Sequence, residues 1–109
     1  MFTGKEEQTV TFYEGAAMTN RWRKSNPKAI KGAYFSKKSL ELLLNQNGSV
    51  GIRIYLGYNE SGEISLVLVG ATSEENDQIG EDYNCVDLGI PCPDRCGEGN
   101  ILNGNAASM

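Results

Sequence analysis

The sequence predicts an α+β fold, a small two-layer domain of two helices packed on an antiparallel β-hairpin or three-stranded sheet. A loop-rich Cys/Pro/Gly segment follows. Three observations carry this. Residues 50–69 alternate apolar and other residues about an Asn-Glu-Ser-Gly turn. Two earlier stretches open on helix-capping residues and continue at helical spacing. The length of 109 residues suits one domain, residues 1–109, since domains cluster near roughly 100–150 residues.

Thr11-Phe12-Tyr13-Glu14 reads as a capping box. The Thr11 hydroxyl would accept from the amide of Glu14, and the Glu14 carboxylate would reach back to the amide of Thr11. A helix over 12–24 follows, with Phe12, Ala16, Thr19 and Trp22 or Arg23 on its inner stripe. Asn26-Pro27 stops it, because a residue before proline is driven out of the α region. Arg21, Arg23 and Lys24 suit the negative end of the helix dipole. Residues 28–35 read as a linker. Ser36 then caps a second helix over 37–46, with Leu40, Leu43 and Leu44 on one face and Leu42 at its margin. Asn47-Gly48 ends it, Gly48 taking a positive φ.

The strands at 50–58 and 64–71 are joined by Asn59-Glu60-Ser61-Gly62, a type I turn closed by glycine in the left-handed region. Gly62 and Glu63 together then oppose Asn59, so Tyr58 pairs with Ile64, Leu56 with Leu66, Ile54 with Leu68 and Ile52 with Gly70. A four-residue loop without the bulge would slip the register by one and split the apolar set between the faces. The helices are expected on the face of Val50, Ile52, Ile54, Leu56 and Tyr58. The second face, with Arg53, Tyr55, Val67 and Val69, is mixed. Ser73 to Asp82 reads as an acidic loop, and Val86, Leu88 and Ile90 as a short third strand closing the sheet. Residues 73–109 are otherwise expected as loop.

Several chemistries are excluded. With no histidine there is no His-dependent triad and no His-containing zinc site. Cys85, Cys92 and Cys96, spaced C-x6-C-x3-C, supply three thiols where a structural zinc or iron–sulfur site wants about four ligands. Asp87 or Asp94 would have to complete such a set, so no metal and no cofactor is expected. Cys92 to Cys96 is one residue too long for a C-x-x-C redox motif; a local Cys92–Cys96 disulfide is possible, and reduced thiols are expected. The phosphate-loop, dinucleotide and serine-hydrolase glycine motifs are all missing. No long apolar run spans a membrane, and Met-Phe-Thr-Gly-Lys-Glu-Glu predicts no secretory signal, hence a cytoplasmic location.

Charge is divided along the chain. Arg21, Arg23, Lys24, Lys28, Lys31, Lys37 and Lys38 make residues 21–38 a block of +7, and residues 74–98, which include Glu74, Glu75 and Asp77, carry −7. The bland reading is two solvated faces. Nucleic acid is not expected as a partner, because the chain is net −4 and no aromatic platform accompanies the lysines. The functional reading is a non-enzymatic module that binds itself or another protein. Its candidate assembly surface is the basic block with Glu74, Glu75, Asp77 and the Tyr55, Val67, Val69 face. Head-to-tail stacking, closed or filamentous, would follow from the opposed blocks. The alternative is a small thiol-based redox or metal-responsive protein using the C-terminal cysteines.

Thr19-Asn20-Arg21-Trp22-Arg23, Ala33-Tyr34-Phe35-Ser36-Lys37 and Gly48-Ser49-Val50-Gly51-Ile52-Arg53-Ile54-Tyr55 form a pattern with three later stretches. These are Leu66-Val67-Leu68-Val69-Gly70, Glu75-Asn76-Asp77 and Pro91-Cys92-Pro93 with Cys96. In this order they resemble a group of small proteins common in Bacteroidota genomes, over about residues 11–103. The resemblance implies a bacterial cytoplasmic setting and brings no activity with it. Members of the group often carry Cys where this chain has Ser49, which removes a fourth thiol here.

Overall fold

In the computed structural model, which describes residues 1–105, both helices start where their caps place them. Helix α1 (Phe12–Ser25) begins after Thr11, whose hydroxyl oxygen accepts from the Glu14 amide at 3.0 Å. The Glu14 carboxylate accepts from the Thr11 hydroxyl at 3.2 Å, a variant of the expected capping box. The helix ends at Asn26, whose amide donates to the Trp22 carbonyl. Helix α2 (Lys37–Leu44) is capped by the Ser36 hydroxyl on the Ser39 amide. It stops two residues short of the predicted Gln46, because Gln46 turns away to hydrogen-bond the segment 78–84.

The chain divides into two units. The first comprises Met1–Glu7 and Phe35–Gly89. Its sheet has the order β2 (Ser49–Tyr58), β3 (Ile64–Thr72), β4 (Cys85–Val86), all antiparallel. The β2–β3 register is the predicted one, Tyr58 with Ile64 through Ile52 with Gly70. Gly62 has φ of 79°, the Gly62 amide donates to the Asn59 carbonyl at 2.9 Å, and the Asn59 side-chain oxygen accepts from the amides of Ser61 and Glu63. A β-branched residue is strained at that φ, so Gly62→Val should lower stability by about 1–3 kcal/mol. An unchanged melting midpoint would refute the bulge.

Helix α2 packs on β2 and β3 through its fully buried Leu43, and Leu68 of β3 is likewise buried; Val69 and Ala71, on the other face of β3, complete the buried apolar set among the described residues. Leu44, expected on the buried face, is exposed; eight residues are too short a helix to seat three leucines on so small a core. The third strand is real but shorter than expected: Cys85 and Val86 pair with Val69 and Leu68, and Ile90 belongs to another sheet.

The second unit comprises Gln8–Tyr34 and the chain from Ile90 onward, so α1 belongs here. Its sheet pairs β1 (Gly32–Tyr34), inside the predicted linker, with β5 (Ile90–Cys92). The C-terminal loop is built on Asn103, which is buried and accepts from the amides of Asn100 and Asn105 while donating to the Glu98 carbonyl. Arg23 donates to the Leu102 carbonyl at 2.7 Å, and the Trp22 indole donates to the Ile30 carbonyl at 2.9 Å. The last four residues of the loop predicted to 109 lie outside the described residues.

Candidate functional site

The two faces of the hairpin exchange the roles the sequence suggests for them. The face of Ile52 and Leu68 is covered by α2 only near its base. Toward the turn its side chains are exposed among the described residues: Ile54 is 57% exposed, Leu56 81% and Tyr58 79%. These side chains share one face with Ile64 and Leu66 across the ladder. The mixed face, offered above as an assembly surface, is instead partly roofed by the segment 77–85. Val69 is buried there, so it is core rather than a contact surface. What remains open is a groove of about 310 Å³ lined by Tyr55, Val67, Val69, Ile79, Tyr83 and Cys85, with Asp77 also at its wall.

Asp77 is the polar anchor of that groove. An Arg53 guanidinium N–H donates to its carboxylate at 2.6 Å, and the Tyr55 hydroxyl donates to the other carboxylate oxygen. The Tyr55 hydrogen bond, and then Arg53, hold the Asp77 carboxyl below the usual carboxylate range. The same bonds to Asp77 push the Tyr55 hydroxyl and the Arg53 guanidinium up. Arg53 also lies over the Phe2 ring, 5.6 Å from its centre, a cation–π distance. Asp77 is therefore tied down inside its own unit. The arrangement holds β2 to the 75–77 segment.

Asp77 is held by a turn the sequence does not announce. Thr72 N–H donates to the Asn76 carbonyl and Glu75 N–H to the Thr72 carbonyl, the pattern of the Asn59–Glu63 turn. Glu75, at φ of 72°, occupies the left-handed position that Gly62 fills in the other turn. With glutamate there the usual glycine signal is missing.

The other predicted site residues fall in both units. Arg21, Arg23, Lys24, Lys28 and Lys31 lie in the second, Lys37, Lys38, Glu74 and Glu75 in the first. Several have internal partners: Arg23 on the Leu102 carbonyl, Lys31 on the Asn105 side chain at 2.6 Å, Lys37 beside Glu41, and Glu75 with the N-terminal amine at 3.2 Å. The sequence blocks are thus broken up by the fold. By unit, the first holds four basic and eleven acidic side chains, net −7, and the second six and three, net +3.

Cys85 lies in the first unit, and Cys92 and Cys96 in the second. Cys92 and Cys96 are joined in a disulfide, which corrects the expectation of reduced thiols, and Cys85 is a free, exposed thiol. Four residues of separation bring the two sulfurs together because the chain reverses after β5, the Arg95 amide donating to the Pro91 carbonyl. Alkylation without reductant should modify one thiol per chain, Cys85, and all three after reduction. Mass spectrometry showing three modified thiols without reductant would contradict this pairing. No group of three or more Cys, Asp or Glu among the described residues is placed to hold a metal.

Sequence reasoning missed Gln46 and Gln78. The Gln46 amide donates to the Gln78 side-chain oxygen at 2.8 Å, Gln78 donates to the Asn47 carbonyl at 2.8 Å, and the Gln46 oxygen accepts from the Asn84 amide at 2.7 Å. Buried polar groups satisfied in this way fix the segment 78–84 to the end of α2. No helix among the described residues is long and apolar enough to cross a membrane. Comparison with family models, with curated proteins and with solved structures finds no match to this chain.

Proposed function

We propose that the protein is a non-enzymatic, self-associating structural module whose contact surface is the outer half of the hairpin. The observation that carries this reading is the exposed set Ile54, Leu56 and Tyr58, on one face of a strand that forms the edge of its sheet. A contiguous apolar surface of this kind marks an interaction site more often than solvent-exposed scaffold. Natural edges are usually blunted by charge, proline or a bulge, and residues 54–58 carry none of these. The setting in this reading is bacterial and cytoplasmic, with itself or another protein as partner and neither nucleic acid nor membrane.

Light scattering across a range of protein concentrations tests the proposal. Wild type should grow in mass with concentration. Leu56→Lys, which places a solvated charge in the apolar set, should remain a monomer with an unchanged circular dichroism spectrum. Growth in mass by the variant equal to wild type would move the contact elsewhere.

The difference of charge between the units supports a head-to-tail form of the same reading, the acidic unit of one copy meeting the basic unit of the next. In that form about 1 M salt, with a Debye length of roughly 3 Å, weakens assembly. Reversing Lys37 and Lys38 to glutamate makes the first unit more acidic and leaves the basic unit intact, so it does not weaken this form; reversing Arg21 and Lys24 does.

The second reading, a thiol-based redox protein, draws on the Cys92–Cys96 disulfide. Disulfides persist mainly in oxidising compartments. A pair that cycles under a cellular thiol couple with a change of partner binding supports this reading; a pair that stays oxidised is a structural staple.

A further inference from the structure

We infer that Asn47 is a site of spontaneous deamidation and isoaspartate formation, and that its conversion releases the segment 78–84 from the end of α2.

The dipeptide Asn-Gly occurs at Asn47-Gly48 and again at Asn103-Gly104. In such a pair the glycine amide nitrogen reaches the asparagine side chain with no Cβ of its own in the way. That nitrogen gives up its proton to hydroxide and bonds to the asparagine Cγ. The Cγ–Nδ2 bond breaks, and ammonia leaves with a proton taken from water. Water then opens the cyclic imide. Opening at Cγ gives aspartate. Opening at the α-carbonyl gives isoaspartate, in which the main chain runs on through Cβ and Cγ and the α-carbonyl becomes a free carboxylate. Water is the only co-reactant, and nothing is oxidised or reduced.

The fold treats the two pairs in opposite ways. Asn103 is buried, and its side-chain oxygen accepts from the amides of Asn100 and Asn105, each at 3.0 Å. Its Nδ2, the leaving group, donates to the Glu98 carbonyl at 3.0 Å. The attacking nitrogen is occupied too: the Gly104 amide donates to the Asn100 carbonyl at 3.0 Å. All of these bonds must open locally before Asn103 can react. Asn47 and Gly48 are both exposed and lie between α2 and β2, in neither element. Among the described residues, the Asn47 side chain and the Gly48 amide have no hydrogen-bond partner. The electrophile and the nucleophile are therefore both free at Asn47, and both held at Asn103.

The main chain at Asn47, by contrast, carries structure. Its carbonyl accepts from Gln78 Nε2 at 2.8 Å, and the turn around it is closed by the Ser49 amide on the Gln46 carbonyl at 3.0 Å. Isoaspartate moves that carbonyl off the main chain and inserts an extra carbon inside the Gln46–Ser49 turn. The same turn sets the position of Gln46, whose side chain donates to Gln78 and accepts from the Asn84 amide. Conversion at Asn47 thus acts on the bonds that fix the segment 78–84, and it does so irreversibly, as a function of the age of the chain.

Peptide mapping by mass spectrometry, on the full chain incubated at mildly alkaline pH either folded or in urea, tests the site. In the folded chain Asn47 should deamidate at least about tenfold faster than Asn103, and the two rates should become alike in urea, where local protection is gone. Folded rates that are equal, or faster at Asn103, would overturn the assignment. The isoaspartyl chain, separated chromatographically, is then compared with fresh chain by residue-resolved amide hydrogen exchange. The Gln78 and Asn84 amides should exchange at least about tenfold faster in the isoaspartyl chain. Fresh Asn47→Asp carries the new charge on a main chain of normal length and should exchange as wild type there. Isoaspartyl chain that exchanges as wild type would overturn the release of the segment. Equal loosening in Asn47→Asp would overturn its attribution to the lengthened main chain. Asn47→Ser should gain no mass at position 47 and should keep wild-type exchange on ageing; loosening in that variant would place the cause at another residue.

Discussion

Leu43→Ala should destabilise the chain by about 2–5 kcal/mol, the range for deleting a buried leucine side chain together with the cavity it leaves. Leu43 has no exposed surface and sits on the inner side of α2, against the β2–β3 sheet. The described core is small: Leu43, Leu68, Val69 and Ala71 are its buried apolar residues. Few neighbours can move in to fill the gap, which places the expected cost in the upper part of the range. Total stability of a domain this size is roughly 5–15 kcal/mol, so a substantial fraction would be lost. Leu44→Ala, one residue on but exposed, should cost less than about 1 kcal/mol. Urea unfolding of both variants measures the contrast. Equal losses would mean that α2 does not dock through Leu43.

Gly70→Ala is expected to cost about 2–4 kcal/mol, combining overpacking with disrupted hydrogen bonds. A Cβ at position 70 would fall inside contact distance of the Gln78 side-chain oxygen and 2.8 Å from Gln46 Nε2. Both are ends of flexible side chains, which elsewhere would swing aside cheaply. Here Gln78 is buried, its oxygen accepts from Gln46 and its amide donates to Asn47, so moving it leaves polar groups unsatisfied. Gly51→Ala is the control, since a Cβ there has nothing within 4 Å. A melting midpoint for Gly70→Ala equal to that of Gly51→Ala would show that the glutamine pair does not hold the 78–84 segment.

What was legible in the sequence is what is local. Thr11 and Ser36 cap their helices because a side-chain oxygen beside the first turn needs no distant partner. The hairpin was legible in register because Gly62 fixes the bulge and the apolar alternation fixes the faces. The pairing of Gly32–Tyr34 with Ile90–Cys92 was not, because its partners lie far apart in the chain and three residues are too few to show alternation. The turn at 72–76 was hidden by glutamate in a position where glycine is the usual signal. Which hairpin face is covered was misread for a different reason. Apolar alternation says that a face avoids water, and cannot say how far along it a short helix reaches. α2 covers the base at Leu68 and leaves Ile54, Leu56 and Tyr58 to solvent. The candidate site follows from that shortfall, and the charge blocks, the most visible feature of the sequence, are divided between two units.

Sedimentation equilibrium of wild type and Leu56→Lys, each in low salt and in about 1 M salt, tests the central claim most directly. The account predicts wild-type chain that gains mass reversibly with concentration, and a Leu56→Lys variant that stays monomeric in both salts. Wild-type chain that remains monomeric at every accessible concentration, or a Leu56→Lys variant that associates as tightly as wild type, would contradict it.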